Sequence, residues 1–461
     1  GHGWIVDAES SAATCITCDM GDAELIPGAF TYAFPDQKRL LVANELGDKV
    51  FILECETSLA SCEKHTWLPV DLSGDGGPNL GRRTYHLAPD GIHLAYSNTR
   101  ADGLIMMIST IQRQATDYKL VDYRVVNPPA PTGPFDGDIN RWINGSTLSE
   151  FKSFADGGAS MIFVTESASA DVDMYKMNLK TGAYTRITSD PDWDEDGAPA
   201  PDNSSVVAAS WRTMDRLSKL GRFTPQPPFG NLPLGAGLAI NYVSSRPGFA
   251  CDLQPWLLDG TGDSKGRLGQ PLLPYTGGDV IAGNNLSGVS FWSPDSTKVL
   301  LQERLLSAPD PAANDYVQQK GGAPNRLAIA KIARPATQPV PTVVTEVGAW
   351  ATTPAQYKGS NAYPGVRVFP GSHGGTLTLT QAGDLVAGTT TMVYNRFSRD
   401  GITFLDGIEE VTGSPAATIN YLVNLTATDA LGKKTGGKTG ALEFTTVPGA
   451  KPGQPPMTMT G

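Results

Sequence analysis

The acidic segment DPDWDED at residues 190–196 has the residue types best suited to chemistry, and WRTMDR follows it at residues 211–216. Glycoside hydrolysis needs two carboxylates, and the flat indole of a tryptophan packs well on a sugar ring. An arginine beside them would recognise an acidic sugar. The candidate ligand-binding residues are therefore Trp193, Asp194, Glu195, Asp196, Trp211, Arg212, Asp215 and Arg216, with Asp194, Glu195, Asp196 and Asp215 as acid or base candidates.

Two other interpretations of the acidic segment stay open. Aspartates ahead of a strand commonly cap a turn or bind backbone N–H groups, which would make Asp194 and Asp196 a structural hinge. Calcium also takes several carboxylate oxygens, although the segment does not follow the spacing of an EF-hand loop. We predict no cofactor and no metal site, with Ca²⁺ as the one ion that this segment would suit.

Motifs for other chemistries are weak. His86 and His93 flank one turn on adjacent predicted strands, where a structural role is expected. Ser372 and His373 are neighbours in sequence, but they form no Gly-x-Ser-x-Gly elbow. No glycine-rich phosphate loop follows a strand and opens a helix. The sequence therefore leaves open whether the protein is an enzyme.

The cysteines indicate an oxidising compartment. The segment ECETSLASCEKH resembles a hairpin that a Cys55–Cys62 disulfide would close, and Cys15 and Cys18 form a Cys-x-x-Cys pair. A second Cys/His pair for a zinc site is missing, so we expect Cys15 and Cys18 to be oxidised together. The sequence starts at GHGWIVDAES without a charged and apolar leader, which suits a secreted or periplasmic chain after signal removal.

The composition narrows the class of protein. The net charge of −11 argues against a nucleic-acid partner, because phosphate binding needs a basic surface. No apolar run approaches the roughly 20 residues of a membrane helix, so no membrane span is predicted. The 51 glycines and 35 prolines among 461 residues indicate a turn-rich, all-β chain.

One turn recurs five times between apolar runs. Proline presets φ for a turn and aspartate bonds its own downstream backbone, so each copy predicts a β-hairpin. The aspartates are separated by 54, 66, 46 and 93 residues, which suits repeats of four strands with insertions. The copies are Pro35-Asp36, Pro89-Asp90, Ala155-Asp156, Pro201-Asp202 and Pro294-Asp295. In the fifth unit, RLAIAKI and TVVTEVG are the predicted later strands.

This pattern resembles the TolB-like (WD-like) β-propeller repeat family, over about residues 25–350. The resemblance implies five or six four-stranded blades and a platform for a ligand or a protein. The turns that join strands 1 and 2 would lie on one face, and the long connections on the other. The acidic segment would precede a first strand and share that second, loop-rich face.

The sequence divides into four parts. Residues 1–29 are an N-terminal segment, 30–350 the propeller, 351–447 a β-sandwich-like domain and 448–461 a proline-rich tail. Our main hypothesis is a secreted binding or assembly module that contacts a ligand, a glycan or a partner protein, or that self-assembles through its C-terminal domain and tail. The alternative is a carbohydrate-active enzyme, a glycoside hydrolase or lyase, with carboxylates at the propeller mouth.

Overall fold

The computed structural model of the chain is built from β-strands. It describes residues 4–16, 18, 29–44, 49–76, 81–100, 103–129, 149–166, 172–190, 192–210, 212, 254–263, 268–272, 281–282, 291–305, 325–357, 365–383, 388–413, 418–446 and 457–460. These residues form strands β1–β29, and no α-helix occurs among them. The all-β prediction is confirmed for this part of the chain.

The first strands form a small hairpin and two joined sheets. β1 (Trp4–Val6) pairs with β2 (Ala13–Cys15). Sheet 1 and sheet 2 each have four antiparallel strands, and the parallel pairing of β6 with β10 joins them into eight strands. Sheet 1 contains β3 (Ala29–Ala33), β4 (Arg39–Asn44), β5 (Val50–Cys55) and β6 (His65–Asp71). Sheet 2 contains β7 (Gly81–Leu87), β8 (His93–Arg100), β9 (Gly103–Arg113) and β10 (Tyr118–Val125).

Sheets 3 and 4 repeat the four-stranded antiparallel order. Sheet 3 contains β11 (Ser149–Ala155), β12 (Ser160–Glu166), β13 (Val172–Asn178) and β14 (Tyr184–Arg186). Sheet 4 contains β15 (Asp194–Pro199), β16 (Ser205–Ser210), β17 (Gln254–Asp259) and β18 (Gln270–Pro271). Residues 213–253, the long connection between β16 and β17, lie outside the described residues.

Sheet 5 departs from the repeat. β19 (Ile281–Ala282) and β20 (Phe291–Trp292) both pair with one edge of β21 (Lys298–Leu305), and β22 (Asn325–Lys331) pairs with its other edge. The predicted fourth strand, TVVTEVG at residues 342–348, is not a strand. The prediction that residues 342–348 form a later strand of this unit is therefore wrong. The long insertion at 306–324 is not among the described residues.

The recurring turns fold as their sequences predict. In four copies, a carboxylate oxygen of the aspartate accepts the backbone N–H two residues later, which fixes the turn locally. These bonds join Asp36 to Lys38 N (2.9 Å), Asp90 to Ile92 N (2.8 Å), Asp202 to Ser204 N (3.0 Å) and Asp295 to Thr297 N (3.1 Å). The copy without proline forms a short 3-10 turn at Asp156–Gly158 instead.

Neighbouring sheets pack face to face in chain order. Adjacent residues of a strand point to opposite faces, so one strand serves two cores. Met107 packs in the core shared with sheet 1, and Met106 in the core shared with sheet 3. Likewise, Val206 packs towards sheet 3 and Val207 towards sheet 5. The first to fourth sheets thus follow one another like the blades of a propeller, which confirms the coarse fold class.

Residues 333–357, here called the strap, cross the side that carries the recurring turns. We predicted extended connections on the opposite side only, and the strap shows that this is wrong. It takes the place of the predicted fourth strand of sheet 5 and contacts the turns of sheets 5, 4, 3 and 2 in that order. Its hydrogen bonds include Thr337 Oγ1 to Asp202 Oδ2 (2.6 Å), Val340 N to Pro201 O (2.7 Å), Val343 N to Gly157 O (3.0 Å) and Thr345 N to Asp90 Oδ2 (2.9 Å).

Close approach of the strap requires glycine in the turn that lacks proline. Gly157 has φ +65°, and a Cβ atom there would lie 2.2 Å from Pro341 O. A side chain at this position would therefore strain the backbone and collide with the strap. Farther along, the Trp350 indole N–H donates to Leu179 O at 2.8 Å, in the last turn of sheet 3.

The last part of the chain forms one seven-stranded antiparallel meander. Its strands are β23 (Gly365–Pro370), β24 (Thr376–Gly383), β25 (Gly388–Phe397), β26 (Phe404–Gly413), β27 (Thr418–Thr428), β28 (Lys434–Thr446) and β29 (Met457–Thr460). Alternate residues of β24 and β27 are buried, with Leu377, Leu379 and Val423 in one core. The described strands form a single sheet, so the predicted sandwich of two stacked sheets is not confirmed.

Candidate functional site

Three consecutive sheets carry an irregularity in their first strand. The register shifts between Arg83 and His86 in β7, between Phe151 and Ser153 in β11, and between Glu195 and Ala198 in β15. An extra residue in one strand bends it and re-aims nearby side chains, and such bulges recur beside active sites. The repeated bulge places charged residues of three sheets together.

These residues are the Lys152 cluster: Arg83, Glu150, Lys152, Glu195 and Asp196. The Lys152 ammonium lies 2.7 Å from Glu195 Oε1, 2.9 Å from Asp196 Oδ1 and 3.3 Å from Glu150 Oε1. Arg83 Nε lies 2.8 Å from Glu150 Oε1. Sheets 2, 3 and 4 therefore meet through one charged network. The Lys152 side chain is 2% exposed, whereas those of Arg83 and Glu195 are 35% and 16% exposed.

Burial and neighbouring charges shift the pKa values of Glu195, Lys152 and Asp196. Burial opposes ionisation of Glu195, but Lys152 and Arg83 outweigh it and lower the Glu195 pKa. Burial lowers the Lys152 pKa less than the three carboxylates raise it, so the ammonium stays charged. Burial raises the pKa of Asp196 to about 7, with Lys152 opposing the rise and Glu195 adding to it. Asp196 therefore keeps its proton up to about neutral pH, where Glu195 is ionised.

Aromatic residues at an equivalent position extend the site. Tyr32, His86, Lys152 and Phe291 all lie four residues before the aspartate of their turn. The Tyr32 hydroxyl is 3.1 Å from His86 Nδ1, and the Tyr32 and Phe291 rings are 6.2 Å apart. Burial and the nearby Lys152 lower the pKa of His86 to about 3, so this histidine is neutral at physiological pH. Tyr32 therefore connects sheet 1 with both sheet 2 and sheet 5.

Asp194 and Arg212 belong to a second, separate network. Arg212 binds the Asp194 carboxylate through contacts of 2.8 and 2.9 Å and reaches Asp263 at 3.1 Å. Its Nε donates to Ser210 Oγ, and its Nη1 to Leu268 O. The side chains of Asp194 and Arg212 are 0% and 1% exposed, so this network ties together strands of sheet 4 from inside. Burial raises the pKa of Asp194 to about 7 against the attraction of Arg212.

The structure separates the predicted site residues into groups. Glu195 and Asp196 lie in the Lys152 cluster, whereas Asp194 and Arg212 form the network inside sheet 4. Trp193 is buried between sheets 3 and 4, and its indole N–H donates to Glu195 Oε2 at 2.8 Å. Trp211, Asp215 and Arg216 lie outside the described residues. Ligand binding by these eight residues stays a prediction.

One detail of the prediction is wrong. The acids Asp194, Glu195 and Asp196 lie within the first strand of sheet 4, not in a loop ahead of it. The apolar run after the turn predicts the second strand of this pair. The first strand consists mostly of acidic and small residues, so its sequence gives no strand pattern. The bulge makes the strand compatible with them, since Asp196 has φ 54° and aspartate tolerates this conformation.

Sequence reasoning missed Arg83, Glu150 and Lys152. Each lies four to seven residues before a turn aspartate, as Glu195 and Asp196 do. Aligning the five units on that aspartate would have placed all of them at the same end of the first strands. The turn sequence alone predicts the hairpins. The number of residues between a charged side chain and its turn aspartate predicts which charged residues lie close together.

Other site classes receive no support from the described part of the chain. It contains no group of three or more His, Cys, Asp or Glu side chains arranged to hold a metal ion. No helix among the described residues is long and apolar enough to span a membrane. Both predicted disulfides, Cys15–Cys18 and Cys55–Cys62, are formed.

Comparison with known proteins gives matches only among solved structures. No family model and no curated protein matches the chain. It is similar to a TolB candidate from Agrobacterium tumefaciens, at 16% identity and TM-score 0.38, over 65% of this chain and 76% of that one. It is also similar to TolB from Acinetobacter baumannii, at 14% identity and TM-score 0.32, over 81% of this chain and 61% of that one.

A third similar structure is an oligogalacturonate lyase in complex with manganese, at 13% identity and TM-score 0.34, over 85% of this chain and 81% of that one. TM-scores this low assign no activity. The recurring turns and the four-stranded sheets of the chain itself are what resemble the TolB-like propeller repeat.

Proposed function

We propose that the protein is a secreted, five-bladed β-propeller that serves as a binding module, with its ligand at the Lys152 cluster. The blade number is supported by contacts between the first and fifth sheets. Tyr32 of sheet 1 approaches Phe291 of sheet 5, while Trp292 Nε1 of sheet 5 donates to Ala198 O of sheet 4. These contacts support a closed ring in which each sheet would have a neighbour on either side.

The observation that carries the proposal is the bulge repeated in the first strands of sheets 2, 3 and 4. A buried ion cluster alone contributes little net stability compared with apolar packing. Three bulges that bring such a cluster to the same place therefore favour a functional role. The partly exposed Arg83 and Glu195 would offer a donor and an acceptor to a polar ligand such as a glycan.

The strap indicates the side from which a ligand would approach. It binds the recurring turns at Asp90, Gly157 and Asp202, so that side is already occupied. Arg83, Glu150 and Glu195 lie six or seven residues before the turn aspartates, near the opposite ends of the strands. The ligand would therefore enter from the side opposite the strap.

A secreted location is supported by the two disulfides, which persist in oxidising compartments. The location stays part of the proposal. The same holds for the partner, which we place in the class of glycans or extracellular proteins.

A glycan-array screen of the whole chain, followed by titration calorimetry on the best binder, tests the ligand site. We expect Glu195→Gln to weaken binding by about tenfold or more. Lys180→Gln is the matched control, because Lys180 pairs with Glu346 of the strap at 3.0 Å on the other side. Arg83→Lys keeps the charge but loses the planar guanidinium, and should weaken binding less. A folded Glu195→Gln variant with unchanged affinity would place the ligand elsewhere.

A carbohydrate-active enzyme is the second candidate, and one observation favours it. Glu195 and Asp196 contact the same ammonium, and their pKa values are pushed apart, downwards for Glu195 and to about 7 for Asp196. Such a pair can supply a base and an acid at neutral pH. Assays for hydrolysis and for elimination on the glycans bound in the screen test this role. Loss of activity in both Glu195→Gln and Asp196→Asn would support the enzyme. Binding without turnover would contradict the enzyme and favour the binding module.

A further inference from the structure

Sheet 5 ends one strand earlier than the sheets before it. In sheets 1–4 a fourth, antiparallel strand pairs with the third, as β6, β10, β14 and β18 show. In sheet 5 the third strand outward is β22, and among the described strands it pairs with β21 alone. The strand-like sequence that follows, residues 342–348, lies in the strap instead. The outer edge of β22 therefore lacks the partner strand that sheets 1–4 have.

The hydrogen-bond ladder shows which backbone groups of β22 lie on this edge. Ile332 N donates to Thr297 O at 2.8 Å. Bonded and unbonded pairs alternate along antiparallel strands, so the N–H and C=O groups of Leu327, Ile329 and Lys331 point away from β21. A row of such groups is a template on which another strand can pair.

The same edge carries exposed apolar side chains. Leu327 is 62% exposed and Ile329 is 40% exposed. Phe291, 43% exposed, lies on the same face, because Leu300 is directly opposite both Phe291 and Ile329. The other face of the sheet is packed, with Val299 buried against sheet 4. Strand addition combines backbone pairing with apolar side-chain contacts, and this edge offers both.

Two lysines specify the charge of the partner. Lys298 and Lys331 are directly opposite each other on the exposed face. Like charges in this arrangement repel, whereas an opposite charge on a neighbouring strand is stabilising. The nearby Asp295 carboxylate is already bonded within its turn, to Thr297 N and Oγ1. An incoming strand should therefore carry an acid beside Lys331.

We propose that the outer edge of β22 binds an extended segment of a partner protein, which adds to sheet 5 as its fourth strand. An antiparallel partner strand, as in sheets 1–4, runs from Lys331 towards Leu327. It places an acid beside Lys331 and apolar residues beside Ile329 and Leu327, in the order acid-x-apolar-x-apolar. The contact of Phe291 with Tyr32 is at the opposite edge of the sheet and does not occupy this site. The glycan site uses other residues, so either proposal can fail alone.

A synthetic peptide tests the proposal. The probe is fluorescein-labelled TETVTVT, which has the proposed order, and fluorescence anisotropy measures its binding to the full chain. We expect saturable binding that weakens at least about tenfold for TKTVTVT, in which lysine replaces the acid. Lys331→Glu in the protein should reverse this preference. Equal binding of the two peptides, or binding of neither up to about 1 mM, would overturn the proposal.

A backbone change tests for strand pairing itself. Ile329→Pro removes one outward N–H and no bond to β21, and proline is tolerated on an edge strand of this kind. We expect it to weaken probe binding about tenfold, whereas the matched control Ile329→Val keeps the N–H group and should bind almost as the original chain does. Circular dichroism checks that both variants fold. Equal binding by the two folded variants would contradict strand addition.

Light scattering distinguishes a partner protein from a second copy of this chain. Without the peptide we expect the single chain mass of 48.8 kDa. A dimer that Ile329→Pro abolishes would show that the edge pairs with a second copy, and would overturn the proposal.

Discussion

Two lysine–carboxylate clusters among the described residues, one buried and one partly buried, differ in how their charges are balanced. In the Lys152 cluster, one lysine contacts three carboxyl groups from two sheets. In the Lys438 cluster of the seven-stranded sheet, Glu409 lies 3.2 Å from Lys438 and accepts hydrogen bonds from Tyr421 (2.8 Å) and Tyr394 (3.1 Å). Lys438 in turn lies 2.6 Å from the Tyr421 hydroxyl.

The difference appears in the pKa of the two lysines. Burial lowers the pKa of Lys438, and Glu409 only partly offsets it. At Lys152 the attraction of the carboxylates outweighs burial, and the pKa rises. Burial also raises the Glu409 pKa. The number of carboxylates around each lysine thus decides the direction in which its pKa shifts, and phenol groups do not replace them.

The largest expected effect comes from removing each lysine charge. Lys152→Met should lower the free energy of unfolding by about 3–5 kcal/mol, because Glu195 and Glu150 lose their buried counter-charge. Lys438→Met should cost less, about 1.5–3 kcal/mol, since Glu409 can take up a proton and keeps both tyrosine bonds. Urea unfolding at pH 7 measures both changes.

The two measurements need different probes. All eight tryptophans lie before residue 351, so tryptophan fluorescence reports sheets 1–5, and far-UV circular dichroism reports every strand. Equal losses for the two variants would show that the extra carboxylates add nothing at Lys152. This result would contradict both the difference between the two lysines and the charge assignment of the ligand site.

A pH series tests whether Asp196 is protonated in the fold. The pKa of Asp196 is about 7 in the fold, above the usual value near 4 of the unfolded chain. Between pH 4 and 7 the unfolded state therefore binds fewer protons, and stability falls as the pH rises. Asp196→Asn should flatten this slope by up to about 1.4 kcal/mol per pH unit. Asparagine also tolerates the positive φ at this position.

Glu409→Gln should flatten the slope in the same direction, because the Glu409 pKa is also raised. The two effects are distinguished by the probe, since only the Asp196 change lies among residues reported by tryptophan fluorescence. Parallel stability curves for Asp196→Asn and the original chain from pH 4 to 7 would contradict a protonated Asp196.

The sequence predicts the hairpins because each turn carries its own bonds. Asp90 fixes its turn through Ile92 N and His93 N, which are contacts within four residues. The strap was not predictable in this way, because its bonds to Asp90 and Asp202 join residues more than 100 positions apart. Its extended, valine-rich sequence resembles a strand locally, and only tertiary contacts decide otherwise.

The candidate site was half predictable for the same reason. Glu195 and Asp196 stood out as neighbours in an acidic run, whereas Lys152 and Arg83 are single charges in ordinary strands. A side chain that joins sheets through charged contacts can be recognised in the sequence only by its distance from the turn aspartate of its repeat. The disulfides were predictable, since their cysteines are only seven and three positions apart in the sequence.

The smallest expected effect tests whether the phenols of the Lys438 cluster contribute unequally. Tyr394→Phe removes one buried hydrogen bond to Glu409 and should cost about 1 kcal/mol. Tyr421→Phe should cost more, because its hydroxyl contacts both Glu409 and the Lys438 ammonium. Urea unfolding followed by circular dichroism compares them. If Tyr394→Phe proves the more costly, Lys438 does not depend on Tyr421, and Glu409 alone must hold the ammonium.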